Sequence, residues 1–236
     1  MLVGSATRLA RFMVGLPKGY LGVLRLGVVT DSWDRTGTVE AESDAWRTIA
    51  DETIVDVLQG LRGPQTQQPP PLSAKKLGGV PAHRRVRRGE HVRLPPNAVT
   101  VESVEIVERD GAFVTFRVWV SSGTYVRWLA HEVGRRLGCG AHLHALRREA
   151  VGAFRVEDAV VPDAIAPGRL LPSAAAVSHL PSVQASPRDV EDLRHGRAIE
   201  RPAPADDGHV AVLDADRLVA VARCADGRLV PQVVLA

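Results

Sequence analysis

The chain has 236 residues, 45% of them hydrophobic and 24% charged, with a formal net charge of +3. That length supports one good-sized core and a small second domain, and no window reaches the uninterrupted apolar length of a membrane span. The two cysteines, Cys139 and Cys224, lie far apart without CxxC spacing, and the eight histidines form no ligand motif. A disulfide framework and a zinc site are therefore excluded as expectations, and the thiols point to a reducing, cytoplasmic setting.

The first residues, MLVGSATRLARF, are too short and polar for a signal peptide. Ser5 or Thr7 is placed to cap a short helix through Arg11 and Phe12. Lys18-Gly19-Tyr20 opens a strand running from Tyr20 to Gly27, followed by a loop, Thr30-Asp31-Ser32-Trp33-Asp34. Ser43 to Gly60 reads as one helix, capped by Ser43 or Asp44, with Trp46, Ile49, Ile54, Val57 and Leu58 on its core side. Gln67 to Pro71 fits neither a helix nor a central strand, because successive prolines remove donors and force extended backbone.

Charge is unevenly spread. Residues 31–56 carry eight acidic and two basic side chains, whereas residues 75–93 carry seven basic and one acidic. A second basic group comprises Arg127, Arg135, Arg136, Arg147 and Arg148. One-sided clustering of this kind is the electrostatic footprint of a phosphate-rich partner, here a nucleic acid; a merely solvated basic face normally has acids interspersed.

Val99 to Val107 and Ala112 to Val120 alternate, and Asp110-Gly111 between them signals a hairpin. The polar turn Ser121-Ser122-Gly123-Thr124 then hands the chain to a helix with Val126, Leu129, Ala130, Val133 and Leu137 on one face, stopped by Gly138 and Gly140. Ala141 to Ala150 reads as a returning strand. Taken singly, Tyr125 is half-buried packing and Arg127 a solvated cation. Residues 160–185 are rich in Pro, Ala and Ser and read as a linker with one short helix. From Ser186 a compact unit begins, with Pro187 at the first helical position and Gly196 at the end, then short strand-like runs at 209–213, 218–222 and 229–235.

The string GTYVR, then LGCGAH, then LRR, closely resembles the bacterial TruB-type tRNA pseudouridine synthases. The resemblance extends to GSATR (Gly4 to Arg8), the Lys18-x-Tyr20 strand, Arg25-Leu26-Gly27 with its TDSWD turn, and the Ser73-Ala74-x-Lys76 loop with Gly79, Arg87 and Gly89. Leu72 and His83 stand where that family commonly has tyrosines, and Arg8 stands where it usually has a lysine. The implied fold class is α+β: a mixed, largely antiparallel central sheet with flanking helices, plus a small C-terminal β-barrel (PUA-like). The implied layout is 1–160 for the synthase domain, 161–185 for the linker and 186–236 for the RNA-binding domain.

The implied reaction isomerises the T-loop uridine (position 55) of tRNA to pseudouridine by base flipping, without metal or cofactor. By resemblance, Tyr20 stacks on the flipped base and Arg127 pairs with a catalytic aspartate, while Tyr125 and Leu146 hold the base. Arg8, Lys18, Lys76, Arg84, Arg87 and Arg147 are expected to meet tRNA phosphates, contacts that position without reading sequence. A cytoplasmic monomer acting on the T-arm of tRNA, with no membrane association, is the expectation.

The family's aspartate lies in a G-x-LDP-x-x-x-G stretch that would fall before Met1 and occurs nowhere in the chain. Asp31 and Asp34 belong to a separate turn. The chain is therefore expected to be an N-terminally truncated synthase, inactive as it stands, with Arg127 left without its carboxylate. The alternatives are a non-catalytic RNA-binding relative and the guide-RNA-dependent branch of the synthases.

Overall fold

The structure, a computed structural model, describes residues 1–70, 76–77, 80–81, 94–202 and 208–235. It divides into two compact units, Leu16–Asp158 and a smaller one formed by Met1–Gly15 together with Ala159–Ala236.

The larger unit is built on a six-stranded sheet. Its strands are β1 (Lys18–Leu26), β4 (Gly63–Gln67), β7 (Asn97–Asp110), β8 (Phe113–Val120), β9 (Ala141–Val151) and β10 (Phe154–Arg155). Their order is β10-β9-β1-β8-β7-β4 and every neighbouring pair is antiparallel. Two smaller pairs accompany it: β2 (Val28–Thr30) with β3 (Val39–Glu42), and β5 (Lys76–Leu77) with β6 (Val80–Pro81). The β7–β8 hairpin forms where Asp110-Gly111 foretold it, with Gly111 at φ 56°, a value open to glycine at little cost.

Two helices, α1 (Asp51–Gln59) and α2 (Val126–Leu137), cover one face of this sheet. The apolar stripe of α2, with Val126, Leu129, Ala130 and Val133 all buried, meets Leu24, Leu26, Phe116 and Val118 of the strands. Contact between helix and returning strand is close at Gly134, where an added Cβ would stand 2.0 Å from the Ala141 amide nitrogen. Gly138 at φ 74° ends the helix in the left-handed conformation, as its sequence position implied.

The single helix expected over Ser43 to Gly60 is not formed. A 3-10 turn, Ala45–Thr48, is followed by extended backbone at Ile49 and Ala50 before α1 starts. The cause lies sixty residues away. Arg109 donates to the Ile49 carbonyl at 2.9 Å and the Trp46 carbonyl at 3.3 Å, taking acceptors that a continuous helix would have used, and it also pairs with Asp51.

In the smaller unit β11 (Ser182–Gln184), β12 (His209–Asp214), β13 (Arg217–Ala225) and β14 (Arg228–Val234) form a sheet in that order, with β11–β12 parallel and the rest antiparallel. Helix α3 (Pro187–Arg194) opens with a capping box in which Ser186 and Asp189 satisfy each other's backbone amides. Residues 161–185 are more ordered than a linker. They contain three 3-10 turns, and β11 bonds to β12. The chain's first turns also belong here: Leu9, 0% exposed, packs with Val177, Leu218 and Val221.

Candidate active site

Strand register places the expected residues on the larger unit's sheet. Tyr20 lies opposite Arg148, Leu21 opposite Arg147 and Gly22 opposite Leu146. Side chains of paired antiparallel residues share a face and alternate along the strand. Tyr20, Leu146 and Arg148 therefore lie on one face, and Arg147 on the other. Tyr20 is half-buried against the core, whereas Leu146 is 46% exposed, unusual for a large apolar side chain at the middle of a sheet. An apolar, solvent-facing spot beside a tyrosine suits a planar base brought from outside.

Tyr125 caps α2 and is held from below. The Gln67 side chain, 0% exposed, accepts the Tyr125 amide at 2.7 Å and donates to the Tyr125 carbonyl at 3.0 Å. Both polar ends of a buried amide are thus satisfied by one backbone unit, which fixes where the helix starts and where Arg127 projects. Gln67 ends β4, and the proline-rich run that follows it gave no hint of this role.

Arg127 is not orphaned. It donates to Asp34 Oδ2 at 2.9 Å and to the Ser32 carbonyl at 3.3 Å, and both charged side chains are 24% exposed. Asp34 Oδ1 accepts from Ser32 Oγ (3.0 Å), the Thr36 amide (2.9 Å) and Thr36 Oγ1 (2.6 Å). Burial works against the Asp34 charge, but the Thr36 and Ser32 hydrogen bonds together with Arg127 hold its carboxyl below the usual range. The loop carrying Asp34 is docked on β9: Leu143 donates to the Trp33 carbonyl at 2.9 Å, and Arg35 donates to the Leu143 carbonyl at 3.0 Å. The expectation that Arg127 lacks a carboxylate is thereby corrected. No local sequence signal pairs residues 93 positions apart; the pairing follows from the loop's register against Leu143.

Lys18 donates to the Leu16 carbonyl at 2.7 Å and to Ser122 Oγ at 3.1 Å. Burial, and then the nearby Arg148, lower its pKa. Lys18 and Arg148 thus form a cationic rim beside Tyr20, whereas Arg147, expected to meet phosphate, lies on the opposite face. Lys76 lies in β5, and Arg84 and Arg87 fall outside the described residues. Arg8 lies in the smaller unit, where it donates to the Val234 carbonyl at 2.7 Å. Among the described residues no group of three metal-ligating side chains occurs, and no helix is long and apolar enough to cross a membrane.

Comparison with known proteins accounts for nearly the whole chain. Residues 1–126 match the model for the TruB family pseudouridylate synthase N-terminal domain. Residues 127–166 match the tRNA pseudouridylate synthase B C-terminal domain, and residues 180–236 match the tRNA pseudouridine synthase II C-terminal model. A tRNA pseudouridine synthase B of Azoarcus sp. (strain BH72) is 33% identical over 240 residues, spanning 99% of this chain and 79% of the relative. One from Dechloromonas aromatica (strain RCB) is 37% identical over 233 residues, 96% of this chain and 77% of the relative. Among solved structures, a Cbf5–Nop10–Gar1 complex contains a chain superposing with a TM-score of 0.70 at 26% identity, covering 94% of this chain and 64% of that one.

Proposed function

Because the chain belongs to the TruB family of pseudouridylate synthases, isomerases acting on tRNA, we propose that its larger unit receives the T-loop uridine, position 55, out of its stack. Tyr20 stacks on the extruded base, Leu146 and Tyr125 bound it, and the Lys18 and Arg148 rim meets backbone phosphate. In the reaction the bond from ribose C1′ to uracil N1 breaks, the base turns, a bond from C1′ to C5 forms, and the C5 proton leaves while N1 takes up a proton. The observation that carries the reading is the convergence of Tyr20 and Leu146 on one sheet face, on the unit that also carries Arg127 at the base of its helix.

Asp34 holds Arg127 in this scheme and does not attack the sugar. One of its oxygens already accepts three hydrogen bonds, and the other faces the guanidinium. The G-x-LDP pattern is absent from these 236 residues. By itself this chain is therefore expected to bind a T-arm hairpin and extrude its uridine without releasing tritium from [5-³H]uridine. Tritium release at synthase rates would show that a carboxylate of this chain is the nucleophile. Failure to bind the bare hairpin, restored by added protein partners, would favour the guide-RNA-dependent reading. A cytoplasmic monomer goes with the proposal; light scattering tests the monomer and fractionation of cells the location.

A further inference from the structure

Trp33 stands between the two residues that grip Arg127: Ser32 offers its carbonyl and Asp34 its carboxylate. Its backbone is left-handed, with φ at 62°. Large side chains rarely adopt that conformation, and it persists only where the surroundings hold it in place. The surroundings here are specific. The Trp33 amide donates to the Thr30 carbonyl at 3.1 Å, and its own carbonyl accepts from Leu143. The indole lies face to face with the His131 imidazole, centroids 4.4 Å apart and planes 13° from parallel. His131 is four residues beyond Arg127 on α2, so the two side chains emerge from the same helix face one turn apart.

One helix face thus holds the loop twice, through the Arg127 guanidinium and through the His131 ring. We propose that Trp33 and His131 are a positioning pair which keeps the Ser32 carbonyl and the Asp34 carboxylate directed at Arg127. The left-handed turn at Trp33 lets residues 32 and 34 face one guanidinium, and the stack keeps that turn from relaxing. His131 Nδ1 is buried without a hydrogen-bond partner. Such an atom suits a neutral ring used for its face and not for a polar contact. Burial accordingly pushes the His131 pKa down, with Arg135 acting in the same direction and Glu132 and Glu40 opposing. The importance of this pair to the reaction rests on the proposed function; its hold on Arg127 does not.

The test uses the whole chain with ¹⁵N-arginine and no RNA. The Arg127 Nε–Hε peak is identified by its loss in Arg127→Lys. His131→Ala is expected to move that peak toward the position of solvated arginines while the Arg117 peak, from a separate ion pair, stays in place. His131→Phe, which keeps a flat ring without titrating, is expected to leave the Arg127 peak unmoved. A merely destabilising substitution would lower the melting temperature without this selectivity. Trp33→Gly, which tolerates the backbone but removes the indole, provides the same readout if His131→Ala does not fold. An Arg127 peak unchanged in both Ala and Gly variants, or displaced as far by Phe as by Ala, overturns the proposal. Because the readout needs no RNA, its outcome stands apart from the proposed tRNA reading of the larger unit.

Discussion

Arg127 and Asp34, 93 residues apart in the chain, meet at 2.9 Å where a loop from one strand pair lies along the strand returning from α2. Neither side chain is fully withdrawn from water, so the pair is worth less than a deeply buried one, yet removing one charge leaves the other poorly compensated. Asp34→Asn is expected to cost about 1–3 kcal/mol in urea unfolding. A double-mutant cycle with Arg127→Gln should return a favourable coupling; a coupling of zero would show the two groups to be energetically independent. The folded pKa of Asp34 lies below its ordinary 3.8. Its contribution is therefore complete above that value and is lost as pH falls through the folded pKa.

Gln67 is the residue whose loss should travel furthest. Gln67→Leu keeps the volume but strips partners from both the amide and the carbonyl of Tyr125, at an expected cost of about 2–4 kcal/mol. Gln67→Glu buries a carboxyl with one oxygen against the Tyr125 carbonyl, so its melting temperature should fall below wild type at neutral pH and recover in part as the pH drops and the carboxyl protonates. Equal melting temperatures for all three proteins would remove Gln67 from the account of how α2 is started.

Glu132 is held ionised by two arginines of its own helix, Arg135 and Arg136. The Arg135 hydrogen bond, acting against burial and aided by Arg136, lowers its pKa from 4.5 to about 2. The contribution is present above pH 4.5 and disappears between there and about 2. At face value it amounts to about 3 kcal/mol, reduced to about 1–2 kcal/mol because Arg135 is largely solvated. Urea midpoints measured across that window should fall more steeply for wild type than for Glu132→Gln.

Tyr20→Ala tests the base-stacking role. In a T-arm hairpin with 2-aminopurine beside the target uridine, wild type should brighten the probe as the uridine leaves its stack. The variant should bind about tenfold more weakly, in keeping with the roughly 1–3 kcal/mol that a stacking ring supplies, and leave the probe dark. Full brightening by the variant would assign the base to another platform.

Local signals in the sequence were reliable where the structure uses only neighbours. The α2 stripe, the Asp110-Gly111 hairpin and the Ser186 cap all form as read. They fail where a distant side chain intervenes: Arg109 breaks the Ser43 to Gly60 helix by taking the Trp46 and Ile49 carbonyls. The candidate site shows the same division. Tyr20, Tyr125 and Leu146 are candidates by motif alone, but whether Arg147 or Arg148 shares the face of Tyr20 and Leu146 depends on a one-residue register that no local pattern encodes. The partners Asp34 and Gln67 emerge only once the strands are paired.

The placement of Leu9 among Val177, Leu218 and Val221 has a bearing on biosynthesis. Leu9 is synthesised long before Leu218 and Val221 and finds its packing surface only after they are translated. Until then Leu9 and Phe12 lack their apolar neighbours, and chaperones have a defined window in which to capture them.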